Sequence, residues 1–179
     1  DVETSQVENI LKSNASKAQT AAADNDETIT LLKDVTLDTM IVNNKKITLD
    51  LNGHDISASL GGYIRLFGIG DVGSGGSTYG NLTLTDTSSG DKGSITANAN
   101  IVYMYHGSTL RIGGGISVVS AGGYALRFEG GTATVEEGGF SATSADSNAI
   151  YMNGATLNGN NIPFTAITNS DNSMNIVIG

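Results

Sequence analysis

The chain has 179 residues, 24 of them Gly and one Pro, with 39% hydrophobic and 15% charged residues, a composition of short strands and tight turns with enough apolar content for one continuous core. A net charge of −9 and a pI near 4.4 argue against nucleic acid and anionic membrane as partners, since both need clustered Lys and Arg. The absence of cysteine excludes disulfides and thiolate zinc sites, and no apolar run approaches the roughly 18 to 20 residues that span a bilayer.

In chain order, Val2 to Ala23 places Val7, Ile10, Leu11, Ala15, Ala18 and Ala22 at three- and four-residue steps. That spacing predicts an amphipathic helix, N-capped by Thr4 or Ser5, with Glu8 completing a capping box. Its expected role is to cover the open end of the strands that follow. Asp24, Asn25 and Asp26 then make the turn. Residues 1–27 are thus read as helical cap and turn, and residues 28–179 as one β domain.

From Thr28 the pattern alternates. Ile29 and Leu31, Val35 and Leu37, and Ile47, Leu49 and Leu51 point one way, with Thr, Asp and Lys opposite, as in half-buried strands. Asn52-Gly53, Gly113-Gly114-Gly115 and Gly138-Gly139 supply residues that accept positive φ at turns. Three stretches superimpose: IVYMYHGSTLRIGGGISVVSA from Ile101, ALRFEGGTATVEEGGFSATSA from Ala125 and AIYMNGATLNGNNIPFTAITN from Ala149. A repeat of 23 to 24 residues with strand alternation inside each copy predicts a β-solenoid in which one copy is one coil. Ile41 to Ile64 keeps the 23-residue step, whereas Leu66 to Tyr105 spans 39. The excess is placed in a loop excursion at 68–80, GIGDVGSGGSTYG, read either as a functional loop or as a flexible spacer.

The repeat assigns Ile64 and Leu66, Tyr103 and Tyr105, Leu126 and Phe128, and Ile150 and Met152 to inward ladders, joined by Leu49, Leu84, Ile112, Val135 and Leu157 from the next strand. The opposite parity puts Tyr63, Arg65, Phe67, Val102, Met104, His106, Ala125, Arg127, Glu129, Ala149, Tyr151 and Asn153 on the outer face. Arg65, Met104, Arg127 and Tyr151 then form an exposed column bordered by His106, Glu129 and Asn153. Arginine forks suit carboxylates and an aromatic ring covers a sugar face, so this is the candidate carbohydrate surface. Its bland counterpart is a row of long side chains shielding strand edges, with Arg127 paired to Glu129 or Glu136.

Other motifs carry less. His54 and His106 lack zinc-ligand spacing, and the glycine runs lack a phosphate-loop context. Thr28/Thr30, Thr83/Thr85 and Thr132/Thr134 are similar to threonine ladders of ice-binding solenoids but do not recur in each coil. Asp24, Asp26 and Glu27 are read either as a cation site or as turn-solvating acids. No cofactor is expected, with calcium as the one cation considered.

The runs TITLLKDVTL and KKITLDLNGHDIS, with the later GGTATVEEGGFSA, resemble right-handed parallel β-helix proteins of the pectate-lyase-like superfamily, especially modules of large Gram-positive bacterial surface proteins. The resemblance implies a right-handed parallel β-helix of about five coils behind an N-terminal α-helical cap, in a secreted or cell-surface protein. Family lyases use a calcium-binding carboxylate cluster and a basic residue. Only Glu129 lies on the corresponding outer face, with Asp71, Asp86 or Asp91 as loop acids that would have to fold over it. A glycosidase also needs two carboxylates, about 5 to 9.5 Å apart. The expected function is therefore a non-catalytic adhesion or carbohydrate-binding module for a polysaccharide or host-cell glycan, with a β-helix lyase or hydrolase and a structural spacer as alternatives. Met174, Ile176 and Ile178 alternate up to Gly179 without a cap, which suits a module cut from a longer chain.

Overall fold

The computed structural model describes residues 27–38, 40–43, 46–61, 65–70, 79–168 and 176–178. The predicted N-terminal helix, the Asp24–Asp26 turn, Tyr63, Ile64 and most of the 68–80 loop lie outside them.

The described chain is a parallel β-solenoid of about five coils, built from three six-stranded sheets. Sheet A stacks Glu27–Thr30, Lys46–Asp50, Asn81–Thr85, Thr109–Ile112, Thr132–Val135 and Thr156–Asn158. Sheet B stacks Val35–Leu37, Ile56–Ala58, Ser94–Ala97, Ile116–Ser120, Phe140–Ser144 and Thr165–Thr168. Sheet C stacks Ile41–Asn43, Arg65–Ile69, Asn100–Tyr105, Leu126–Glu129, Ile150–Met152 and Ile176–Ile178. Every pairing is parallel, each strand bonding to the equivalent strand of the next coil. No described residue is helical.

The interior is the ladder core that the alternation demands. Ile29, Leu49, Leu84, Ile112 and Val135 stack in sheet A, and Val35, Ile56, Ile95, Val118, Ala142 and Ala166 in sheet B. All of these are buried. Burial of one such aliphatic side chain contributes about 1.5 to 3 kcal/mol. The second inward row of sheet B runs Leu37, Ala58 and Ala97 and then turns polar, with Ser120, Ser144 and Thr168 buried one above another. Ser120 Oγ donates to the Ala99 carbonyl at 2.8 Å and Ser144 Oγ to the Gly123 carbonyl at 2.6 Å, so the hydroxyls satisfy corner carbonyls that would otherwise be buried unpaired.

The corner between sheets A and B is pinned by carboxylates. Asp50 accepts from the backbone of Asn52 and from the backbone and hydroxyl of Thr87, at 3.0, 2.9 and 2.6 Å. Asp86, buried, accepts from the backbone N–H groups of Gly53, Ser88 and Gly93 at 2.9, 2.8 and 2.7 Å. Burial would raise its pKa, but the bonds from Ser88, Gly93 and Gly53 outweigh that and hold it down to about 2. Asp86 is thus a structural staple at the A–B corner and not an acid folded over sheet C. Asn52 (φ 50°) and Gly53 (φ 80°) occupy the left-handed region as the turn requires.

Three ladder assignments are corrected. Ile41 pairs with Phe67 rather than with a residue 23 positions on. Leu157 stacks on Ala133, two residues from the expected Val135. In sheet C, Val102 and Met104, not Tyr103 and Tyr105, align with Leu126 and Phe128. Met104 and Val102 are fully buried, as are Phe67, Ala125 and Ala149, so none of them lies on the outer face. The cause is chemical: in IVYMY either parity presents apolar groups, and the closed interior takes Val and Met while the tyrosines keep their hydroxyls at the surface.

Candidate functional site

The outer face of sheet C concentrates large side chains. Along its central column Gly68 is followed by Tyr103, Arg127 and Tyr151, and beside it Tyr105 pairs with Glu129. Four of these positions come from equivalent points of successive coils, about 4.8 Å apart.

Arg65 enters from the first residue of its strand, opposite Asn100. A Cβ on Gly68 would lie 3.0 Å from Arg65 Nε, so the missing side chain leaves the space in which Arg65 crosses the strand. Its guanidinium reaches the rings of Tyr103 and Tyr105, 5.3 and 5.5 Å from their centroids, and those rings stack at 4.7 Å. One coil on, the Arg127 guanidinium lies 4.8 Å from Tyr103 and 5.4 Å from both Tyr124 and Tyr151. Tyr124 and Tyr151 are themselves in ring contact at 5.3 Å. Cation and ring therefore alternate along the stack, each contact worth about 0.5 to 2 kcal/mol according to its desolvation.

Arg127 and Glu129 are locked together. Arg127 Nε and Nη2 both donate to Glu129 Oε1, at 2.8 and 2.5 Å, and Asn153 Nδ2 donates to Oε2 at 2.8 Å. Burial would raise the Glu129 carboxyl, but the bonds from Arg127 and Asn153 bring it below the usual range. Burial would lower Arg127, and the bond to Glu129 raises it instead. Both tyrosines of the 103–105 strand are pushed up, chiefly by desolvation. A carboxylate so held is a poor proton donor at neutral pH.

Of the residues expected on this face, Arg65, Arg127, Glu129, Tyr151 and Asn153 converge. Met104 belongs to the core. His106 is exposed at the C–A turn, where its ring covers Gly130 closely enough that a Cβ there would collide with it. Tyr103, Tyr105 and Tyr124 were missed; the signal that could have found them is the density of tyrosine beside the arginines. His54 faces Asp34 at 3.4 Å across the A–B corner. Among the described residues no three His, Asp or Glu side chains are grouped to hold a metal ion, and no helix is long and apolar enough to cross a membrane. No family model, no curated protein and no solved structure matches the chain.

Proposed function

We propose that the chain is a non-catalytic carbohydrate-binding or adhesion module that holds a polysaccharide or cell-surface glycan against the outer face of sheet C. The observation that supports it is the row of tyrosines, Tyr103, Tyr105, Tyr124 and Tyr151, interleaved with Arg65 and Arg127 on a rigid wall. Rings offer flat apolar area to a sugar face, and the guanidinium N–H groups not engaged within the wall offer donors to its oxygens. The module belongs, on this proposal, to a right-handed, pectate-lyase-like β-helix with a helical N-terminal cap, displayed on or secreted from a bacterium as part of a longer chain. It needs no cofactor, and calcium enters only if the face proves to be that of a lyase.

A glycan array and polysaccharide pull-down, with and without calcium, tests this directly. Retention without reducing ends or unsaturated products is expected, and Tyr151→Ala with Arg127→Ala should weaken it at least about tenfold with the fold retained. Product release would make the protein an enzyme. Failure to retain any glycan would favour a structural spacer, a role that suits the short, uncharged residues covering most of the outer face of sheet B.

A further inference from the structure

The chain has three arginines, and two of them are paired: Arg111 with Glu136 at 2.7 Å and Arg127 with Glu129 at 2.5 Å. Arg65 is the most buried of the three, at 8% exposure, yet it faces no carboxylate among the described residues. Its Nε is out of contact with solvent and has no hydrogen-bond acceptor. The rings of Tyr103 and Tyr105 flank the guanidinium but cannot accept its in-plane N–H groups as an oxygen would. An arginine this buried, with one guanidinium N–H left without an acceptor, costs stability, and an anion whose oxygens meet the remaining N–H groups offsets that cost.

We infer that Arg65 is the anion-recognising position of this face, taking the carboxylate or sulfate of an acidic glycan whose sugar rings lie on Tyr103 and Tyr105. The inference rests on the glycan-binding function proposed above and assigns its ligand class. Bulk electrostatics gives no help, because a protein of net charge −9 repels polyanions at long range. Selectivity for an acidic ligand must come from the local pairing. Arg127 cannot supply it, since Glu129 already neutralises that guanidinium.

The test is native affinity electrophoresis of the purified chain in gels containing polygalacturonate, dextran sulfate or neutral dextran, with Arg65→Gln, Arg65→Lys and the distant Arg111→Gln. Retardation by one of the two polyanions should exceed that by dextran and thereby name the anion. Arg65→Gln should lose about tenfold of it, the scale of one charge-assisted pair, Arg65→Lys should recover part, and Arg111→Gln should match the parent. Polyanion binding unchanged in Arg65→Gln overturns the inference. Equal retardation by all three polysaccharides overturns it as well, but leaves glycan binding standing. If nothing retards the parent, glycan binding itself fails, and titration with sodium acetate and sodium sulfate decides about Arg65: movement of its Nε–H resonance supports the site, and a static resonance overturns it. The same titration serves if Arg65→Gln melts early.

Discussion

Sheets B and C share a backbone, a coil spacing and an apolar inner ladder, and differ in what they show to solvent. On sheet B the outer columns are Thr36, Ser57, Thr96, Val119, Thr143 and Ile167, and Ser94, Ser117, Ser141 and Thr165. These are short, mostly hydroxylic and nearly interchangeable, and Thr36 and Ser57 touch through their hydroxyls at 3.2 Å. On sheet C the equivalent positions change character at every coil, from Gly68 through Tyr103 and Arg127 to Tyr151. Sheet B shows that the solenoid closes without large outer groups. The rings and charges of sheet C are therefore not demanded by the fold, and that is the physical ground for placing function there.

The comparison breaks most severely if the inner ladders are not equivalent. Phe128→Asp, on the buried side of the Arg127 strand, should cost more than about 4 kcal/mol and leave little folded protein by urea unfolding monitored with circular dichroism. A melt like the parent's would mean that sheet C does not stack as its register requires. Next comes the corner: Asp86→Asn turns one acceptor oxygen into a donor facing backbone N–H groups, and should lose about 2 to 3 kcal/mol. In the parent, the Asp86 carboxyl sits at about 2 when folded, below its unfolded value. Its contribution, about 2 kcal/mol, is complete above that unfolded value and disappears as pH falls through about 2; thermal melts from pH 5 to pH 2 should show a shallower acid limb in the variant.

Smaller effects sharpen the contrast between the two faces. Glu129→Gln removes the negative charge beside Arg127 and should cost about 1 kcal/mol at these partly exposed positions, while increasing retardation by polyanions in affinity gels. Thr143→Ala on sheet B should change stability by less than about 0.5 kcal/mol and leave glycan retention untouched. A clear binding loss there would move the ligand off sheet C.

The fold was legible because its signals are local. Ile47, Leu49 and Leu51 alternate with polar neighbours, and Arg127 and Glu129 fix the parity of Leu126 and Phe128. Where that marker is missing, parity is not readable: Ile101 to Tyr105 has no charged residue to assign a face, and a shift of one residue exchanged Met104 with its tyrosine neighbours. Leu157 slipped by two because Ala133 and Val135 are both acceptable small partners. Arg127 and Tyr151 were placed in one column by the 24-residue step of the repeat, and they pair in the register of sheet C. The Asp86 staple was not, since its donors Gly53 and Gly93 lie 33 and 7 residues away, and only the closed coil brings them together.

Every hydrogen bond of the sheets runs along the stacking axis, with Thr109 of one coil placed over Thr132 of the next, 23 residues on. Tension on the two ends would therefore load the rungs one coil at a time, as in opening a zipper, rather than shearing many bonds together. Single-molecule stretching should yield a sawtooth at low force, with increments of about 8 nm per released coil, the extended length of one repeat. Under flow, such a chain would lengthen by surrendering coils from an end while the coils farther along stay folded.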